Sequence, residues 1–209
     1  MTAAPITGAA RPSRPLAWLQ PAVVTGGLVP FFVLAIRALR GGLGANPIAT
    51  ALNQLGLLAL VFLMACLACT PLKAFTGQNW PIRIRRTLGL FAFFTALTHF
   101  LVYVILDQTL ALNRIVADIV KRPFIALGFS ALVVLVPLAL TSSKRAVQRL
   151  GFKRWKRLHR LVYLAGVLAV IHFVLRVKAD LTEPLLYGAL LTLLFAARVF
   201  DRSTARQKS

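Results

Sequence analysis

Residues 158–178 read LHRLVYLAGVLAVIHFVLRVK. Between its basic ends this stretch is apolar for the length of a bilayer crossing, which takes about 20 residues of helix. It holds two of the three histidines in the chain, His159 near its start and His172 near its end. An imidazole inside an apolar helix is costly unless it has a partner, so each is a functional candidate. The third histidine, His99, lies in a second such stretch, RRTLGLFAFFTALTHFLVYVIL (85–106).

The rest of the chain follows the same pattern. Apolar residues make up 58% of the 209 and charged residues only 14%, against about a quarter in a soluble domain. Mean hydropathy is +0.77. No polar segment is long enough to build a soluble core. The apolar runs are continuous rather than alternating, which predicts helices and not a barrel. Six are expected, over Leu16–Leu39, Leu52–Leu72, Thr87–Leu106, Phe124–Leu140, Leu158–Lys178 and Pro184–Phe200. The first is too long for a secretory h-region, and it leads into Gly41-Gly42-Leu43-Gly44 rather than a cleavage site. Residues 1–14 read as a disordered N-terminus, 15–202 as one transmembrane domain and 203–209 as a tail.

A formal charge of +20 suggests nucleic acid at first sight. Its placement excludes that reading, because the basic residues sit in short links between spans, where they act as topology signals and bilayer anchors. The N-terminus, the 73–86 and 141–157 links and the C-terminal tail carry most of the Lys and Arg. Asp107, Asp118, Asp180 and Glu183 fall in the opposite links. The positive-inside rule therefore puts both termini in the cytoplasm, and Trp18, Trp80 and Trp155 lie near the same boundary. The 141–157 link is expected to be partly helical along the membrane surface.

With odd-numbered helices running outward, the third and fifth are parallel. His99 lies thirteen residues after Arg86, and His172 thirteen after His159, so both rise roughly 20 Å from the cytoplasmic side. Two imidazoles at one depth on facing helices suit the axial ligation of a haem iron. Small residues lie beneath each: Ala96, Thr95, Ala92 and Gly89 below His99, Ala169 and Ala165 below His172. They leave room for a flat macrocycle, or they serve close helix packing. Structural or proton-carrying histidines are the competing reading.

His159 has no histidine opposite it. Thirteen residues also leave it about 140° from His172 around a regular helix, whereas stacked ligands want about 40° or less. Either the helix is distorted near its start or His159 serves another purpose: a second haem, a quinone or flavin contact, or a place at the interface. Cys66 and Cys69 form a CxxC within the second span, where they read as packing residues. Five carboxylates, mostly in links, exclude acid–base hydrolysis, and no nucleotide loop or zinc spacing occurs.

Four segments, GGLGANP (41–47), RIRRTLGLFAFFTALTHFLVY (83–103), VKRPFIALG (120–128) and KRLHRLVYLAGVLAVIHFVLRVK (156–178), resemble the MsrQ family. These are haem-binding membrane subunits that serve a periplasmic methionine sulfoxide reductase, within the wider ferric-reductase and NADPH-oxidase-like group. The resemblance implies an inner-membrane protein with haem b (one or two) held by His99 and His172, with His159 the remaining family histidine. It implies electrons passing from the quinone pool, or a cytosolic flavin reductase, to a molybdopterin catalytic subunit. FMN is implied by resemblance only. Arg85 and Arg86 are candidates for a propionate, flavin or quinone contact. The nine residues from Asp201 onward depart from the larger group, which carries a cytoplasmic FAD and nicotinamide domain, so a separate donor is expected. A stand-alone haem reductase of metal ions or quinone, or a small histidine-using transporter, is the alternative.

Overall fold

The computed structural model describes residues 16–207, with side chains through Phe200. The expected disordered segment 1–14 lies outside the described residues. Among those described there are helices and no strands. Six spans are long and apolar enough to cross a membrane: Leu19–Leu39, Pro47–Thr76, Trp80–Asp107, Pro123–Leu140, Phe152–Arg176 and Thr182–Phe200. The chain is an all-α, multi-pass membrane protein.

Helix α1 (Leu19–Leu39) is followed by α2 (Pro47–Thr76), which is longer than its apolar run at both ends. Its start is set by Asn46, whose Oδ1 accepts from Ala49 N–H at 3.0 Å, with Pro47 in the first turn. Its end is set by Gly77, at φ 68°, the left-handed cap that glycine adopts without cost. Helix α3 (Trp80–Val102) begins seven residues earlier than expected, because Pro81 fits a first turn. Arg83, Arg85 and Arg86 therefore ride on helix rather than loop.

Beyond Val102 the third span continues as a π-helical turn, Tyr103–Asp107. The following link is not irregular. It contains α4 (Leu112–Lys121), which turns Ile115 and Ile119 toward the bundle interior. After α5 (Pro123–Leu140), the basic link folds as two short helices, α6 (Lys144–Leu150) and α7 (Phe152–Leu158), as the sequence suggests. Helix α8 (Leu161–Arg176) starts after a break at His159 and Arg160, where Arg160 N–H and Tyr163 N–H bond to carbonyls three residues back. The anticipated distortion near the start of the fifth span is real. Helix α9 (Thr182–Gln207) extends past the expected end at Phe200.

The centre of the bundle is α2. Leu60, Leu63, Met64 and Leu67 are buried there against Ala92 of α3, Leu135 of α5, Ala165 of α8 and Leu191 of α9. Lipid tails are as apolar as these side chains, so cohesion depends on close fit rather than on escape from water. Small residues provide that fit. A Cβ on Gly27 would come within 2.7 Å of the Phe91 ring, and one on Gly166 within 3.3 Å of Leu191. Cys66 and Cys69 belong to the same packing: the Cys66 thiol donates to Arg85 O at 3.3 Å and the Cys69 thiol to Ala65 O at 3.2 Å.

Candidate functional site

Helix α3 packs along α2, and α8 packs along α5. These four helices enclose a cavity of about 560 Å³, within the roughly 300–1,000 Å³ usual for small-molecule and cofactor sites. His99 enters it from α3 and His172 from α8. Their ring centroids are 6.4 Å apart with planes at 85°, so the packing brings the two imidazoles together in one cavity. The small residues expected beneath them line the same space: Ala92 and Ala96 on one side, Ala165 and Ala169 on the other. Thr95 and Gly89 are turned elsewhere. Thr95 is fully buried and donates to Phe91 O at 2.6 Å, and Gly89 meets Cys66.

Each imidazole is held by a backbone carbonyl from a helix it does not belong to. Nδ1 of His99 lies 2.9 Å from Leu52 O on α2, and Nδ1 of His172 lies 2.6 Å from Phe124 O on α5. A carbonyl only accepts, so both Nδ1 atoms carry the proton and both Nε2 atoms keep a free lone pair. Glycines make room for the rings. A Cβ on Gly56 would sit 3.2 Å from His99 Cε1, and one on Gly128 only 2.7 Å from His172 Nδ1. Two imidazoles with oriented lone pairs have the chemistry of metal ligands, and each already makes the Nδ1–H hydrogen bond that orients such a ligand. Among the described residues no three His, Cys, Asp or Glu side chains gather, so a metal here must bring its remaining ligands with it.

His159 is not part of this cavity. It caps α7 and its Nε2 lies 3.0 Å from Thr141 Oγ1. That hydroxyl already donates to Pro137 O at 2.6 Å, so it accepts from Nε2–H, and the nitrogen is not a free ligand. The Trp155 ring lies 4.2 Å away, and its Nε1 donates to Thr141 O at 3.0 Å. The cluster ties α7 to the end of α5. Arg85 and Arg86 are also remote from the cavity, because they occupy the opposite end of α3 from His99. Arg85 donates to Thr70 Oγ1 at 3.2 Å, and Arg86 is exposed.

Sequence reasoning missed the polar end of the cavity, where Asn53, Tyr103, Asp107, Arg122 and Arg176 line the wall. A signal was available: Tyr103 and Arg176 each lie four residues after a cavity histidine, on the same helix face.

Residues 50–175 match the family described as the ferric reductase like transmembrane component. Three relatives carry the same description, protein-methionine-sulfoxide reductase haem-binding subunit MsrQ. That of Deinococcus radiodurans is 50% identical over 91% of this chain and 94% of its own length. That of Rhodospirillum rubrum is 50% identical over 85% and 86%, and that of Herminiimonas arsenicoxydans 43% over 95% and 92%. The chain belongs to the MsrQ family. In this MsrQ-family chain the ferric-reductase-like match runs from α2 to the last turn of α8, so it contains all four helices around the cavity and all three histidines. Helices α1 and α9 lie outside that match and pack on its flanks.

Proposed function

We propose that this chain is the haem-binding membrane subunit of a methionine sulfoxide reductase system, in which His99 and His172 would hold the haem. The observation that carries the reading is the paired Nδ1–H to carbonyl hydrogen bonds, which aim two lone pairs into one cavity. The residues fit the group. The ring centroids lie 6.4 Å apart in one cavity, near enough for a single metal centre to be held by both imidazoles. The alanines on both helices leave an apolar space between them. Bound there, a b-type haem supplies a one-electron redox centre inside the bilayer.

The chain's own residues bind, orient and shield. Leu52 O and Phe124 O fix the tautomer and the ring planes, Gly56 and Gly128 admit the rings, and Leu60, Leu63, Leu132 and Leu135 keep the slot dry. One cavity with one ligand pair supports one haem, and the engagement of His159 with Thr141 argues against a second there. With Lys and Arg concentrated in the 141–160 link and four of the five acidic residues at the end of His99 and His172, the cavity opens toward the outside of the inner membrane. Electrons then arrive from the quinone pool or a cytosolic flavin reductase and leave to a periplasmic molybdopterin partner, both termini being cytoplasmic.

Full-length protein purified in detergent is expected to show a Soret band and a reducible b-type spectrum. His99→Ala and His172→Ala should each abolish it without loss of the folded, monodisperse protein. Normal haem content in both variants would remove the ligand assignment. The names of the relatives favour this reading over a stand-alone reductase or a transporter.

A further inference from the structure

The cavity is apolar at one end and polar at the other. Leu60, Leu63, Ala92, Leu135 and Ala165 line the deep end. The polar side chains gather where α2 begins and α8 ends. A b-type haem has the same asymmetry, with two carboxylates on a single edge of an otherwise apolar ring. Burying that edge at the deep end would leave charges unpaired in hydrocarbon, so the carboxylates belong at the polar mouth.

Most of the charges at that mouth are already engaged. Asp118 accepts from Tyr103 Oη at 3.1 Å and pairs with Arg122 at 3.1 Å. Asp107 accepts from Gln108 Nε2 at 2.7 Å. Arg176 differs from these. Its Nη2 donates to the amide oxygen of Asn53, and among the described residues no carboxylate lies within ion-pair distance of it. It stands one helical turn beyond His172, on the same face and in the same cavity wall. Asn53 follows Leu52, whose carbonyl orients His99. One turn of α2 thus holds both a candidate ligand and a cation.

We propose that Arg176 anchors a haem propionate, with Asn53 as the amide that positions the guanidinium to receive it. The inference rests on the His99/His172 reading, and it goes further by fixing which way the ring faces: propionates toward the mouth, vinyl edge inward. A guanidinium fork matches a carboxylate in a way that an ammonium does not.

The test uses full-length protein in detergent, loaded either with native haem or with its dimethyl ester, in which both propionates are neutral. The readout is the rate of haem transfer to apomyoglobin. Arg176→Gln is expected to release native haem roughly tenfold faster than wild type, the scale of one charge-assisted hydrogen bond. Arg176→Lys should fall between them. With the ester, wild type and Arg176→Gln should release at the same rate. Equal release of native haem by wild type and Arg176→Gln overturns the proposal. So does an identical acceleration with both haems, because Arg176 would then only brace α8 through Asn53. Should Arg176→Gln fail to fold, wild type alone decides: it must hold the ester roughly tenfold more weakly than native haem. Loss of haem in His172→Ala beside unchanged release in Arg176→Gln rejects the anchor and leaves the ligand reading intact. Wild type without a haem spectrum rejects both.

Discussion

The ring of His172 fills the space that a side chain on Gly128 would need. A Cβ there would lie 2.7 Å from Nδ1 and 2.8 Å from Cε1 of the imidazole. The glycine and the histidine belong to different helices, α5 and α8, so this clearance is a property of how the two helices pack.

Gly128→Ala should therefore push the ring off the Phe124 carbonyl and lower haem occupancy severely, with a stability cost of about 1–3 kcal/mol. Gly56→Ala faces a looser contact of 3.2 Å at His99 and should lose less. Haem per protein, read by the pyridine haemochrome assay, ranks the two. Equal and full occupancy in both would mean that the rings have room to move.

Histidine variants separate the three positions. His99→Ala and His172→Ala should be free of haem, whereas His159→Ala should keep it at wild-type stoichiometry. Loss of the Thr141 hydrogen bond should cost His159→Ala about 1 kcal/mol in stability. Halved haem content in His159→Ala would establish a second site at that end of the bundle.

Arg198 joins three helices. Its guanidinium donates to Tyr163 Oη on α8 and to Leu67 O on α2, and it lies 4.8 Å from the centre of the Tyr163 ring. Arg198→Met should lower the melting temperature, by the equivalent of about 1–3 kcal/mol. A double-mutant cycle with Tyr163→Phe should show coupling between the two positions. Additive effects would show that the contact contributes little.

Orientation is accessible by labelling. In a variant with Cys66 and Cys69 replaced by alanine, Lys178→Cys should react with a membrane-impermeant maleimide on intact cells, and Lys144→Cys only after lysis. The reverse pattern would invert the proposed topology.

The apolar runs, the basic links and the three histidines are local features, and from them the sequence alone determined an all-α membrane bundle with His99 and His172 at one depth. Depth is read by counting residues at a helical rise, and the break at His159 and Arg160 leaves α8 regular from Leu161 to His172. The extended starts of α2 and α3 were also written locally, in Asn46-Pro47 and Trp80-Pro81, although hydropathy alone hid them.

What the sequence did not carry was which groups meet between helices. The bonds from Leu52 O and Phe124 O to the histidines, the clearance at Gly56 and Gly128, and the pairing of Asn53 with Arg176 each join residues far apart in the chain. Their partners are set by helix rotation and axial register, which only the packed bundle decides. For the same reason only the fold shows that Arg85 turns to Thr70 and His159 to Thr141, outside the cavity.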